Sequence, residues 1–192
     1  MHPRRAVFLD RDGVINRSSR VDGRPYAPRR LSDFRLLPGV ADAVARLRRA
    51  GFLAIVITNQ PDVGNGLTTR ETLDAMHEKL SRSVAVDAVL VCPHRQDDGC
   101  ACRKPKPGLI RGAIRDFAID PSRSYMIGDR WSDVAAGKAA GLYSIFIDRG
   151  YAEAMRERPD AVATSLPNAA RSILSRGSAG GVAATIRMTG RT

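Results

Sequence analysis

Apolar and polar positions alternate along this chain in blocks with two different periods. Residues 6–9 and 53–57 are continuous apolar runs. They are too short for helices and lack the polar interruptions of a half-exposed strand, so they predict strands buried on both faces. Residues 125–127 and 144–147 and part of 84–91 predict further strands, and 160–163 a last one. Between these runs, apolar residues recur three or four positions apart. Val40, Val44 and Leu47 predict a helix opened by Pro38-Gly39 and closed by Gly51. Leu73, Met76 and Leu80 predict a second, starting at Thr68 or Thr69, with Thr68 and Glu71 as a capping box. Ile110, Ile114 and Phe117 predict a third from about Pro107; residues 131–140, stopped by Gly141, predict a fourth, and 168–175 a last. Residues 17–37, rich in Arg, Pro, Ser and Asp, read as an irregular loop, and 177–192 as a disordered tail without a periodic apolar face.

Strands alternating with amphipathic helices predict an α/β fold: a three-layer, Rossmann-like domain with a mostly parallel sheet, spanning residues 1–176. Ligands of such sheets bind beyond the strand C-termini. Asp10 and Asp12, Thr58 and Asn59, and Gly128 and Asp129 each follow a predicted strand there. No apolar run approaches the ~20 residues of a membrane span, and the basic N-terminus precedes too short an apolar stretch for a signal peptide. The expectation is a cytoplasmic protein without membrane attachment. The 31 basic and 20 acidic residues give a net charge of +11, which favours anionic partners. Only four lysines occur, and two of them, Lys104 and Lys106, fall in one short motif.

The candidate chemistry lies in four segments. In Asp10-Arg11-Asp12-Gly13, a buried strand delivers two carboxylates to its tip. They repel unless a cation or proton separates them, which suggests Mg2+ and a nucleophile: Asp10 to attack phosphorus, Asp12 to act as general acid and then base. In Ile57-Thr58-Asn59-Gln60, a hydroxyl and an amide at a strand end suit phosphoryl oxygens. In Arg103-Lys104-Pro105-Lys106-Pro107-Gly108, the prolines direct basic side chains together. Arg103 suits a phosphate, and either lysine could neutralise the reacting group. In Gly128-Asp129-Arg130-Trp131-Ser132-Asp133, Asp129 would complete a Mg2+ shell with Asp10 and the Asp12 carbonyl, and Asp133, one helical turn on, would support it.

A fifth pattern is Cys92-x-His94-x5-Cys100-x-Cys102, which places all three cysteines and a histidine within eleven residues. Three thiolates and an imidazole match a closed, tetrahedral, structural Zn2+ site. The odd cysteine count argues against a disulfide framework.

The four segments in this order resemble the haloacid dehalogenase-like phosphohydrolases, from about residue 6 to residue 150. Asp10-Arg11-Asp12-Gly13-Val14-Ile15-Asn16, Thr58-Asn59-Gln60 and Cys102-Arg103-Lys104-Pro105 look like the histidinol-phosphatase and heptose-bisphosphate-phosphatase branch. That resemblance implies Mg2+ at Asp10, Asp12 and Asp129, Lys104 as the phosphoryl-stabilising lysine, Arg103 as a substrate contact, and a zinc loop. It implies hydrolysis of a phosphorylated metabolite through an aspartyl-phosphate, with D-glycero-D-manno-heptose 1,7-bisphosphate as the leading substrate and histidinol phosphate as the alternative. The segment Gln60-Pro61-Asp62 departs from the Gln-Ser-Gly of heptose enzymes and keeps that alternative open. Asn16, Arg20 and Asn59 are further candidate substrate contacts. The gaps between motifs leave no room for a large cap domain, so the site should be open and the protein a monomer. A nucleic-acid end phosphatase would exploit the +11 charge, but the chain shows no aromatic-rich basic platform for strands.

Overall fold

The structure, a computed structural model, describes residues 3–179. Six parallel strands form the central sheet: β1 (Arg5–Leu9), β4 (Phe52–Asn59), β5 (Ala88–Cys92), β6 (Tyr125–Gly128), β7 (Tyr143–Ile147) and β8 (Ala161–Ala163), in the order β5-β4-β1-β6-β7-β8. The continuous apolar runs are explained by a core on each face. In β1, Val7 and Leu9 face one core while Ala6 and Phe8 face the other; in β4, Ala54 and Val56 alternate in the same way with Ile55 and Ile57.

The helices supply the outer layers. α1 (Val40–Arg49), α3 (Arg70–Ser83) and α6 (Leu166–Ala179) contribute Val44, Leu47, Met76, Leu80 and Ile173 to the first core. α4 (Gly108–Asp116) and α5 (Trp131–Ala139) contribute Ile110, Ala113 and Ala136 to the second. At the N-terminal edge of the sheet, Phe52, Tyr125 and Tyr143 stack edge-on at 5.8 and 5.7 Å, with the Arg5 and Arg176 guanidinium groups each 4.4 Å from a terminal ring. This ladder closes the end of the sheet opposite the polar motifs.

Three local expectations change. Residues 17–37 contain an exposed hairpin, β2 (Ser19–Val21) and β3 (Arg24–Tyr26), turned by Asp22-Gly23 with φ values of 49° and 73°. The α3 cap is Thr69, which accepts from Thr72 N at 3.1 Å, whereas Thr68 Oγ1 donates to the Arg29 carbonyl, so the Thr68–Glu71 box does not form. α6 runs on through residues 177–179, which the sequence places in a tail; the rest of that expected tail lies outside the described residues. A four-residue helix, α2 (Pro61–Gly64), follows β4. Between β1 and β4 stand the hairpin and α1, and between β4 and β5 stand α2 and α3, so neither gap carries a cap domain. No helix among the described residues is long and apolar enough to cross a membrane.

Candidate active site

The polar motifs converge at the C-terminal ends of three adjacent strands, β4, β1 and β6. This is the crevice where the sheet order turns back through β1, the usual ligand position of an open parallel sheet. Lys104 stands at its centre, almost fully buried. Its ammonium donates to Asp10 Oδ1 at 2.6 Å and to the Ile57 carbonyl at 2.8 Å, and forms an ion pair with Asp133 Oδ1 at 2.6 Å. Burial opposes this charge, but the two carboxylates outweigh it and hold the lysine above its ordinary range. Lys106 is exposed and donates to the Gly99 carbonyl, so of the two lysines Lys104 is the one paired with Asp10.

Asp10 is buried at the tip of β1, and burial pushes its carboxyl up to about 7 against the pull of Lys104, with Asp133 and Asp12 adding to the rise. Asp129 is buried beside it. Burial and the charges of Asp10 and Asp133 raise its carboxyl well above the usual range. Its Oδ2 accepts from the Tyr151 hydroxyl at 2.8 Å, while its Oδ1 is buried without a partner. Asp133 turns its Oδ2 to the Arg130 backbone N–H, 3.0 Å away at the start of α5, and its Oδ1 to Lys104.

Asp10, Asp129 and Asp133 present oxygens within 4.8 Å of one another. Three buried carboxylates against one ammonium leave an excess of negative charge, and Asp129 Oδ1 and Asp133 Oδ1 are both buried without a hydrogen-bond partner. Both features fit a divalent, oxygen-seeking cation such as Mg2+. The backbone reserves this space. Gly13 has φ of +82°, and a Cβ there would lie 1.7 Å from Asp129 Oδ2; at Gly128 a Cβ would lie 2.1 Å from that of Asp133.

The Asp12 carboxylate is set apart from that cluster. Arg11 grips it through Nη2 at 3.0 Å to each oxygen, Asn16 Nδ2 donates at 2.9 Å and Gln60 Nε2 at 2.7 Å. Gln60 Nε2 also donates to Thr58 Oγ1 at 2.8 Å, leaving the Thr58 proton for an acceptor in the pocket.

Two expected substrate contacts are used inside the protein instead. Asn16 is fully buried, and its amide orients Asp12. Asn59 brackets the Lys104 backbone, with its Nδ2 donating to the Lys104 carbonyl and its Oδ1 accepting from the Lys104 N–H, both at 3.1 Å. Arg20 is exposed, but its guanidinium donates to the Arg149 carbonyl and lies 5.3 Å from the Tyr151 ring. Arg103 is half-buried and keeps Nη1 buried without a partner, as an anion-binding group would. A cleft of about 570 Å3 beside the hairpin is lined by Arg17, Ser18, Ser19, Tyr26, Pro28 and Arg29.

Sequence reasoning assigned no role to Arg11, Gln60, His77 or Tyr151. Arg11 and Gln60 stood inside motifs singled out for their neighbours. His77 and Tyr151 stood far from any motif, and only the fold brings them in.

The zinc-type residues also converge. Sγ–Sγ separations are 3.2, 3.4 and 3.6 Å among Cys92, Cys100 and Cys102, and His94 Nδ1 lies 3.6 Å from Cys92 Sγ and 3.1 Å from Cys102 Sγ. Zn–S bonds near 2.3 Å give tetrahedral edges of about 3.8 Å, whereas a disulfide needs about 2.05 Å. The donor set fits Zn2+ with Nδ1 as the histidine ligand.

Known proteins similar to this chain are numerous. A family model described as HAD-hydrolase-like matches residues 101–169. The D-glycero-beta-D-manno-heptose-1,7-bisphosphate 7-phosphatase of Bordetella bronchiseptica is 38% identical over 149 residues, covering 75% of this chain and 80% of that protein. The D-glycero-D-manno-heptose-1,7-bisphosphate 7-phosphatase of Thermosynechococcus vestitus is 34% identical over 187 residues, covering 85% and 92%. The crystal structure of D,D-heptose 1,7-bisphosphate phosphatase from B. bronchiseptica, complexed with magnesium and phosphate, superposes with a TM-score of 0.80 at 33% identity, covering 90% of this chain and 99% of that one. With its fold, its carboxylate–lysine cluster and these relatives, the chain belongs to the haloacid dehalogenase-like phosphatases, in the family whose curated members are named heptose-bisphosphate phosphatases.

Proposed function

We propose that this chain is a Mg2+-dependent phosphomonoesterase that removes the 7-phosphate of D-glycero-D-manno-heptose 1,7-bisphosphate. The observation that carries the reading is the Lys104–Asp10 pair, 2.6 Å apart and buried beside Asp129 and Asp133, in a chain whose relatives bear that substrate in their names. Asp10, the Asp12 carbonyl and Asp129 would hold Mg2+, which when bound neutralises carboxylate and phosphoryl charge. Zn2+ at Cys92, His94, Cys100 and Cys102 would be structural, since all four positions are filled by protein.

The chain's own groups divide the chemistry. Asp10 attacks phosphorus as the carboxylate, with Lys104 fixing its Oδ1. As the ester P–O bond breaks, Asp12 gives its proton to the departing sugar oxygen, leaving an aspartyl-phosphate and a free alcohol. Water then attacks the same phosphorus and gives a proton to Asp12. Inorganic phosphate leaves, and the Asp10 carboxylate is restored. Lys104 and the Thr58 hydroxyl stabilise the phosphoryl oxygens as charge develops. Arg103, with its unpartnered Nη1, and Arg17 in the cleft beside the hairpin suit the anionic remainder of a bisphosphate better than the imidazole of histidinol phosphate. The substrate is thus a small phosphorylated metabolite, and the enzyme acts as a soluble cytoplasmic monomer.

Phosphate release should be compared for both anomers of the heptose bisphosphate, histidinol phosphate and a 3′-phosphorylated oligonucleotide. The expected result is a kcat/KM at least ~100-fold higher for the heptose, about 2.7 kcal/mol of transition-state discrimination. A preference for histidinol phosphate or the oligonucleotide would replace the substrate assignment. Asp10→Asn should abolish turnover on every ester in the panel; appreciable activity in that variant would overturn the nucleophile.

A further inference from the structure

The residue that the chemistry above leaves unexplained is His77, on α3 and far in sequence from every motif. Its Nε2 lies 3.0 Å from Arg11 Nη1. A guanidinium can only donate, so Nε2 is the acceptor and the imidazole is neutral with its proton on Nδ1. Burial and the Arg11 charge both hold the ring in that state, pushing its titration down to about 4.

Arg11 is an unusual group to find here. Its side chain is completely buried, beneath the Phe34 ring at 5.7 Å, and the carboxylate it pairs with is Asp12. Nη2 and Nε occupy the Asp12 side of the fork, at 3.0 and 3.2 Å from Oδ1. Nη1 is on the far side and ends on His77. Arg11 and Asp12 are neighbours on one turn, so the backbone fixes only the root of the guanidinium. The orientation of its plane depends on what Nη1 finds, and with it the guanidinium's share of the grip on Asp12, which Asn16 and Gln60 also hold.

The geometry points to His77 as a positioning residue that acts through Arg11 to hold Asp12 for proton transfer to the leaving group. Loss of the imidazole acceptor leaves a charged donor buried without a partner. That costs more than rotating the fork toward a new acceptor, and rotation withdraws the grip on Asp12. The inference rests on the reading of Asp12 as general acid, and the test separates the two.

The readout is leaving-group dependence. p-Nitrophenolate departs without a proton, whereas the sugar oxygen needs one. kcat/KM reports events up to formation of the aspartyl-phosphate, and recognition of the bisphosphate's second phosphate by Arg103 and Arg17 is common to parent and variants, so the change between parent and variant in the ratio of kcat/KM for heptose 1,7-bisphosphate to that for p-nitrophenyl phosphate measures acid assistance. Because both substrates see the same active molecules in one preparation, the ratio is independent of the fraction folded. Asp12→Asn should lower this ratio by about 100-fold, within the usual range for general acid catalysis. His77→Leu should lower it by about tenfold, and His77→Gln, whose side-chain carbonyl can still accept from Arg11, should restore it to within about threefold of the parent. A His77→Leu ratio equal to the parent's, with Asp12→Asn collapsed, overturns the role of His77 and leaves Asp12 in place. An unchanged ratio in Asp12→Asn overturns the acid assignment and the His77 inference with it. A His77→Gln ratio as low as that of His77→Leu overturns the hydrogen bond as the cause.

Discussion

Gly13 tests the geometry of the cation site most directly. A Cβ built there lies 1.7 Å from Asp129 Oδ2, 2.7 Å from Asp129 Cγ and 2.8 Å from the Tyr151 hydroxyl. None of these is the far end of a flexible side chain with open space behind it: Asp129 is buried and tied to Tyr151 at 2.8 Å. Gly13→Ala therefore carries two costs. The left-handed backbone, φ +82°, costs about 1–2 kcal/mol with a side chain present. Displacing Asp129 breaks its bond to Tyr151, about 1.5–3 kcal/mol for a hydrogen bond to a charged group. The sum, about 3–5 kcal/mol, should lower the melting temperature by about 10 °C in a chain of this size. Mg2+ affinity should fall further, by at least ~100-fold, because a ligand is removed rather than reoriented, whereas losing an outer-shell partner alone costs about 10–100-fold. Calorimetric Mg2+ titration of the parent, Gly13→Ala and Tyr151→Phe separates these effects, since Tyr151→Phe removes only the hydrogen bond. A Gly13→Ala protein that melts within ~2 °C of the parent and binds Mg2+ equally well would refute the packing argument, because such small changes cannot accommodate that overlap.

Two further expectations concern the surroundings of the site. Removing zinc should raise KM more than it lowers kcat, because Arg103 directly follows the ligand Cys102 while Lys104 keeps its two hydrogen bonds to Asn59; unchanged kinetics in metal-analysed, zinc-free protein would defeat this. His77 titrates near 4 in the fold against 6.5 for the free side chain, so as pH falls the unfolded chain takes up the proton first. Its contribution to stability is full above pH ~6.5 and is lost on the way down to ~4, a loss of about 2 kcal/mol after allowance for its partial exposure. Urea midpoints across that range should decline more steeply in the parent than in His77→Gln, and parallel curves would contradict the assignment.

The layers of this fold were legible because they rest on periodicity. Buried parallel strands must be apolar on both faces, and residues 53–57 could hardly be anything else. The hairpin at Ser19–Tyr26 was missed because its strands are largely exposed and carry no alternating apolar face, although Asp22-Gly23 is a strong turn signal. In the site, the carboxylates at strand ends declared themselves, since Asp10 and Asp129 have few other reasons to stand there, whereas Lys104, in the loop between β5 and α4, could not be told from Lys106 by spacing. What the sequence could not show is the direction of an amide. Asn16 and Asn59 have the chemistry to touch a substrate and sit next to other candidate contacts. Only the fold reveals that they face Asp12 and Lys104. Tyr151 and His77 were invisible for a different reason: their partners lie 22 and 66 positions away in the chain, beyond any local pattern.

The use of those amides follows from the absence of a cap. An enzyme that closes a domain over its substrate can complete the alignment of its catalytic groups on closure. Among the described residues no cap domain stands between β1, β4 and β5, so alignment has to exist beforehand, with flexible groups held from behind. Lysine is the least self-organised of them, with a long stem and a point charge. It is held at both ends, its backbone by Asn59 and its ammonium by Asp10, Asp133 and the Ile57 carbonyl. Asp12 receives the same treatment from Arg11, Asn16 and Gln60, and Gln60 extends it to Thr58. Each of these amides thus spends its hydrogen bonds on Asp12 or Lys104. Preorganisation of this kind contributes to rate because the dipoles and charges need not reorient as the transition state forms. Under the proposed function, specificity would then come from elsewhere: the amides at the base of the pocket are committed to Asp12 and Lys104, and Arg103, with its unpartnered Nη1, and the cleft beside the hairpin are what would be left to recognise the rest of the substrate.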